Sequence, residues 1–149
     1  MVNRKIHPKK ILTAEEKECV QKAIQEVEQR TSGEIRVALE KSSRGEILER
    51  ARKVFEKLGM TRTRERNGVL FFFRLRDKAF AILGDKAIHE KLGDGFWRFA
   101  VSEMEPYFRK EDFGAGLQAG IRRIGLELAK HFPRKQGDRN ELPDNIAEK

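Results

Sequence analysis

A single cysteine, Cys19, stands among the 149 residues, so no internal disulfide can staple the chain. No run of about 18 apolar residues occurs, which excludes a membrane-spanning helix of ordinary length. The three histidines, His7, His89 and His131, are far apart, and none has a second histidine one helical turn away. Each reads as a surface or cap residue rather than a ligand or a base. Also missing are a G-x-x-x-x-G-K-[ST] phosphate loop, a C-x-x-C pair, an H-E-x-x-H zinc helix and a G-x-S-x-G nucleophile elbow. The amino end is basic but lacks an apolar segment followed by a small-residue cleavage site, so it does not read as a secretory signal. Together with the lone cysteine, this points to a reducing cytoplasm. Cys19, one residue before an apolar stripe, reads as a half-buried structural thiol.

What the chain has in quantity is charge, 32 Lys and Arg against 24 Asp and Glu, for a net +8. Residues 1–12 carry +4, and residues 44–66 carry another +4 from eight Lys/Arg less four Glu; the remaining segments sum to zero. A basic flank of this kind can attract nucleic acid or an anionic surface, but charges so mixed fit a solvated face better. One domain is the natural reading at this length, burying roughly 70% of its unfolded surface. The expected division is a basic, flexible leader over 1–12, an α/β domain over 13–133 and a polar, charge-balanced tail without fixed structure over 134–149.

Periodicity sets out the domain. Thr13-Ala14-Glu15-Glu16 fits a capping box, and Val20, Ala23, Ile24 and Val27 recur at helical spacing, predicting a helix over about 14–30. Ile35, Val37 and Leu39 alternate with Arg36 and Ala38 as in a strand. Ser43 to Glu46 resembles a second capping box, followed by the stripe Ile47, Leu48, Ala51, Val54, Phe55 and Leu58. Val69 to Phe73 is apolar at every position, which predicts a strand buried on both faces and therefore helices on both sides of the sheet. Ala79 to Leu83 is the next strand, reached through a hairpin-length connection. The first two strands, joined by a helix, should be parallel, and the second and third antiparallel. After Gly84 the pattern is helical, ending in a long helix through Phe113, Leu117, Ile121, Ile124 and Leu128. The glycines within that helix, Gly114, Gly116, Gly120 and Gly125, suggest close approach to the sheet.

This topology gathers two sets of candidate site residues at opposite sheet ends. At one end Glu34, Asn67 and Asp85 converge, with Asp94 folding back toward them; carboxylate and amide oxygens of this kind suit a hard divalent cation such as calcium. The competing reading is ordinary turn chemistry at strand ends. At the other end Ser42 and Ser43 lead into a helix N-terminus beside Arg74 and Arg76, a set suited to phosphate or carboxylate. There too, Ser43 and Glu46 capping one another is a simpler role. Residues 66–73 loosely echo the basic-Gly-aromatic strand of an RNA-recognition motif, although that motif needs an open sheet face.

Taken together, Thr31-Ser32-Gly33-Glu34-Ile35-Arg36-Val37, Asn67-Gly68-Val69-Leu70-Phe71, the stretch from Arg76 to Gly84 and Phe113-Gly114-Ala115-Gly116-Leu117 resemble the TPM domain. That family is named for thylakoid-lumen, photosystem-repair and receptor-modulator proteins, and the match runs in order over about 14–133. The resemblance implies a three-layer α/β/α sandwich around a small mixed sheet. It also implies a choice of functions, since relatives are described as acid phosphatases or as repair factors for a membrane complex, and some bind calcium. The expected role is therefore an accessory or binding module, with a divalent cation and a protein partner both open, and with a weak phosphomonoesterase or an RNA-binding module as alternatives. No paired D-x-D carboxylates or C-x5-R loop accompany the phosphatase alternative.

Overall fold

The computed structural model describes residues 12–135 and 141–149. The expected leader falls outside them except for Leu12, which is buried in the core rather than free. Helix α1 (Ala14–Glu28) starts at the predicted capping box: the Glu16 N–H donates to Thr13 Oγ1 at 3.0 Å, and the Thr13 N–H donates to Glu16 Oε1 at 2.9 Å. Strand β1 (Glu34–Glu40) leads to α2 (Ile47–Lys57), and a single 3-10 turn at Met60–Arg62 precedes β2 (Gly68–Arg74) and β3 (Ala79–Gly84). Helices α3 (Lys86–Leu92), α4 (Trp97–Arg109) and α5 (Phe113–His131) follow, and a two-residue strand β4 (Ala147–Glu148) ends the chain.

The sheet has the order β3-β2-β1-β4. β1 and β2 are parallel from Glu34↔Gly68 to Glu40↔Arg74, and β2 and β3 form the antiparallel hairpin, as their connections require. Each face carries its own core. Val37, Phe71 and Ile82 belong to the layer shared with α1, α4 and α5, while Ala38, Leu70 and Phe72 pack with Ala51, Val54 and Phe55 of α2 and with Met60. Phe71 and Phe72, pointing opposite ways, are both fully buried. The three-layer α/β/α sandwich is thus present, and the aromatic residues that an RNA-recognition sheet would expose are covered.

Four details differ from expectation. The α2 cap is Glu46, whose carboxylate accepts from the Leu48 and Glu49 N–H groups, so Ser43 does not form a capping box with it. The α5 glycines make room for neighbouring helices more than for the sheet: a Cβ on Gly125 would lie 2.5 Å from Val27 of α1, and one on Gly120 would lie 2.5 Å from Met104 of α4. Cys19 is exposed. Residues 141–149, expected to lack fixed structure, return to the free side of β1, where β4 pairs in parallel as Ala38↔Ala147 and Leu39↔Glu148. Ile146 is buried there, an apolar anchor in an otherwise polar segment.

Truncating Phe72 removes a ring enclosed by α2 and the sheet. Phe72→Ala should lower stability by about 3–5 kcal/mol in urea denaturation, because the surrounding helix and strands can collapse only partly into the space.

Candidate functional site

At the amino end of β1 and β2, the structure brings Glu34, Asn67 and Asp85 to one edge but gives each a partner. Asp85 caps α3 through the Lys86 N–H at 2.8 Å and takes a bidentate pair from Arg66, at 2.6 and 2.8 Å. Asn67 is buried and donates from Nδ2 to Ser32 Oγ at 3.2 Å. Glu34 accepts from the tail, from the Glu141 N–H and from the Leu142 N–H at 2.7 Å. Asp94 stands apart, its side chain 94% exposed and 3.0 Å from His89 Nδ1. Among the described residues, no group of three or more His, Cys, Asp or Glu side chains is placed to hold a metal ion.

The tail creates a carboxyl pair that sequence spacing does not show. Glu28 is buried; its Oε2 accepts from the Ile35 N–H at 3.0 Å, while Oε1 accepts no hydrogen bond. Burial, then a hydrogen bond shared with the Asp144 carboxyl, pushes Glu28 up to about 10. Two carboxyl groups can share a hydrogen bond only if one keeps a proton, so this pairing acts in the same direction as the larger effect of burial. Burial likewise raises Glu34 to about 7 against the opposing backbone N–H groups of Leu142 and Glu141.

At the opposite end the anion set does not assemble. The Arg74 guanidinium is buried and engages three acceptors: Asp77 Oδ1 at 3.0 Å, Asp77 Oδ2 at 2.7 Å and the Gly45 carbonyl at 2.8 Å. The bond to Asp77 raises the Arg74 pKa further. Ser42 and Arg76 are exposed and Ser43 is half-buried. Next to them, Glu40 takes a bidentate pair from Arg50, at 2.8 and 2.6 Å; burial pushes Glu40 up, but the Arg50 bonds, a hydrogen bond from Ser43 and the charges of Arg50 and Lys149 together outweigh it and hold the carboxyl below its ordinary range.

The feature best suited to holding a partner is the outer side of β3. Because the Asp85 N–H donates to the Gly68 carbonyl at 2.9 Å, antiparallel alternation turns the N–H and C=O groups of Phe80, Ile82 and Gly84 away from β2. No strand lies beyond them, and no described residue bonds them. Along this edge run two adjoining clefts. One, of about 360 Å³, lies between Ile47 and Leu48 of α2 and Trp97 and Val101 of α4; the other, of about 390 Å³, extends past Gly84 toward His89 and Asp94. Leu48 and Trp97 are 42% and 38% exposed and form facing apolar walls. Leu48 falls in the apolar stripe of α2 that reads as core, and no sequence pattern singles out Trp97. The available signal was topological: a third strand after a hairpin, with no later strand to pair it, has to be an edge.

The carboxyl pair generates a pH prediction. An unfolded glutamate titrates near 4.5, whereas folded Glu28 retains its proton to about 10, so the folded state binds the extra proton across that window and stability falls as pH rises through it. Glu34 adds to the fall up to about pH 7. Glu28→Gln, which cannot ionise and still offers a donor toward Asp144, should match wild type near pH 5 and exceed it by about 1–3 kcal/mol at pH 8. Urea denaturation across that range tests this; parallel profiles for the two proteins would place the retained proton elsewhere.

The fold and much of the sequence recur in known proteins. The chain is 43% identical to the BA42 protein of the psychrophilic bacterium Bizionia argentinensis, solved by NMR, with 93% of this chain and 95% of that one covered and a TM-score of 0.87. It also resembles the N-terminal domain of a protein from P. gingivalis, at 19% identity, 83% and 80% coverage and a TM-score of 0.66, a likeness of fold alone. No curated protein matches the chain. The model of the TPM domain matches residues 6–126, most of the chain, and on that match the chain belongs to the TPM-domain family.

Proposed function

We propose that the chain is an accessory module that holds a protein partner along the open edge of β3. One observation carries this reading: three consecutive outward-facing peptide units, at Phe80, Ile82 and Gly84, lie without partners between the apolar walls of Leu48 and Trp97. Unpaired strand edges are templates for another chain, and proteins that leave them exposed usually blunt them with lysine, proline or a bulge. None of these interrupts Ala79 to Gly84. Main-chain bonds to such an edge give affinity, and the flanking walls give selectivity.

The test is selection from a random-peptide display library on the wild-type protein, followed by binding measurements on a Leu48→Glu, Trp97→Ala variant. Both side chains are partly exposed, so the variant should stay folded, which circular dichroism and thermal melting check before binding is measured. Enriched peptides should bind the variant at least about tenfold more weakly, since an aromatic anchor at the centre of an interface contributes about 2 kcal/mol or more. Ligands unaffected by the double substitution, or no enrichment at all, would overturn the reading.

A further inference from the structure

The tail that closes the β1 edge is fastened at its start by carboxyl groups. We propose that residues 141–149 act as a pH-sensitive strap, closed along β1 while the Glu28 and Asp144 carboxyl groups share a proton and released as that proton is lost. This edge is separate from that of β3, so the strap stands or falls independently of a partner there.

Little else holds the strap. Its ladder with β1 is two residues long, and Ile146 is the only buried residue among 141–149. A segment with so few apolar contacts opens locally at lower cost than the whole domain unfolds. Its remaining contacts gather where α1 ends and β1 begins. The Glu141 and Leu142 N–H groups donate to Glu34, Arg36 Nη2 donates to the Asn145 carbonyl at 3.4 Å, and Asp144 meets Glu28. Glu28 is only 5% exposed, and its Oε2 already accepts from the Ile35 N–H. Oε1, buried and accepting no hydrogen bond, is therefore the oxygen left to carry the proton that a bond to Asp144 requires.

The charged neighbours agree with this placement. Arg36 attracts Asp144, which favours its carboxylate and leaves the shared proton on Glu28. Arg134, beyond α5, donates to the Glu28 backbone carbonyl at 2.6 Å. The charges of Asp144 and Glu34 both oppose ionisation of Glu28, so losing the proton sets like charges against one another in a buried place. Glu34 is also affected: the two strap N–H groups favour its carboxylate, but burial and the charges of Glu141 and Asp144 outweigh them and take it up to about 7.

The direction follows from which form holds the proton more tightly. In the closed form burial and then the bond to Asp144 push Glu28 up to about 10, whereas a carboxyl freed of Asp144 and reached by water returns toward 4.5. The closed form binds the extra proton, so closure weakens as pH rises through that window, by up to about tenfold per pH unit. Above about pH 7, where Glu34 is already ionised, Glu28 governs the strap alone.

The experiment follows isoleucine methyl resonances of the full chain between about pH 5.5 and 9 at fixed ionic strength. Ile146 reports the strap, and Ile88, Ile121 and Ile124 report the core. From about pH 7 to 9 the population with Ile146 exposed should grow at least about tenfold while the three core methyls keep their positions. Glu28→Gln cannot ionise and keeps a donor toward Asp144; Asp144→Asn removes the second carboxyl and offers a donor to ionised Glu28. In both variants the growth should stay below about threefold, and Asp144→Asn, on the partly exposed tail, serves where Glu28→Gln does not fold. An Ile146 methyl that stays buried to pH 9 in the wild type would overturn the strap. So would an Ile146 methyl that moves only together with the core methyls, since the chain would then be unfolding as a whole. Wild-type behaviour in both variants would overturn the assignment to the Glu28 and Asp144 pair.

Discussion

The fold depends on one strand, β2, being enclosed on both faces. Its residues from Val69 to Phe73 are apolar without interruption and all are buried, so neither side of the sheet can face water at its centre. The layer of α1, α4 and α5 on one side and α2 on the other are both consequences of that constraint. So is the compactness of the helical layer. Val27 and Met104 press against the α5 backbone where Gly125 and Gly120 leave no side chain, which brings three helices over a narrow sheet at the expense of helix propensity.

Covering the second face has an electrostatic consequence for β1. Its even-numbered positions include Glu34, Arg36 and Glu40, all buried on the side shared with α2 and the tail. Each has a different solution. Glu40 is neutralised by a bidentate arginine, Arg50. Glu34 receives two backbone N–H groups from residues 141 and 142, and Arg36 reaches the Asn145 carbonyl at 3.4 Å. The last two therefore depend on the tail, which means that residues 141–149 satisfy polar groups of the domain as well as lengthening its sheet. Buried charges left without such partners would be strongly destabilising.

The sequence revealed the elements that answer to local physics and concealed those that depend on distant pairing. The uninterrupted run of β2, the capping box at Thr13 and the helix joining β1 to β2 each carry their own signal, and all three appear where expected. The tail strand did not stand out, because two residues held by Ile146 and by hydrogen bonds to Leu39 and Lys41 have neither length nor periodicity. The candidate site residues illustrate the same limit. That Glu34, Asn67 and Asp85 share a sheet end follows from strand order and was legible. That Asp85 is committed to Arg66, and Arg74 to Asp77, is a matter of side-chain pairing that sequence order leaves unspecified. Leu48 fell within a helical stripe of the right period, but the stripe is wider than the face α2 buries, and its first turn overhangs the edge of β3.

The two edges of the sheet then make an informative contrast. On the β1 side the chain closes its own edge: Lys149 donates to the Leu39 carbonyl at 3.0 Å, Lys41 donates to the Lys149 carbonyl at 3.2 Å, and Lys17 fixes Glu148 at 2.7 Å. A short extended segment with a single buried anchor is thus enough to occupy an edge of this sheet. On the β3 side the backbone presents the same kind of unpaired groups, beside Leu48 and Trp97, yet no described segment takes them up. An edge without a lysine, a proline or a bulge, set between an exposed leucine and an exposed tryptophan, is a liability in a protein with nothing to put there. Burial of Ala81 and Ile82, 5% and 6% exposed with helices over both faces of the strand, confines that liability to the backbone groups of the edge itself. What the strand leaves open is therefore its row of peptide groups rather than an apolar face.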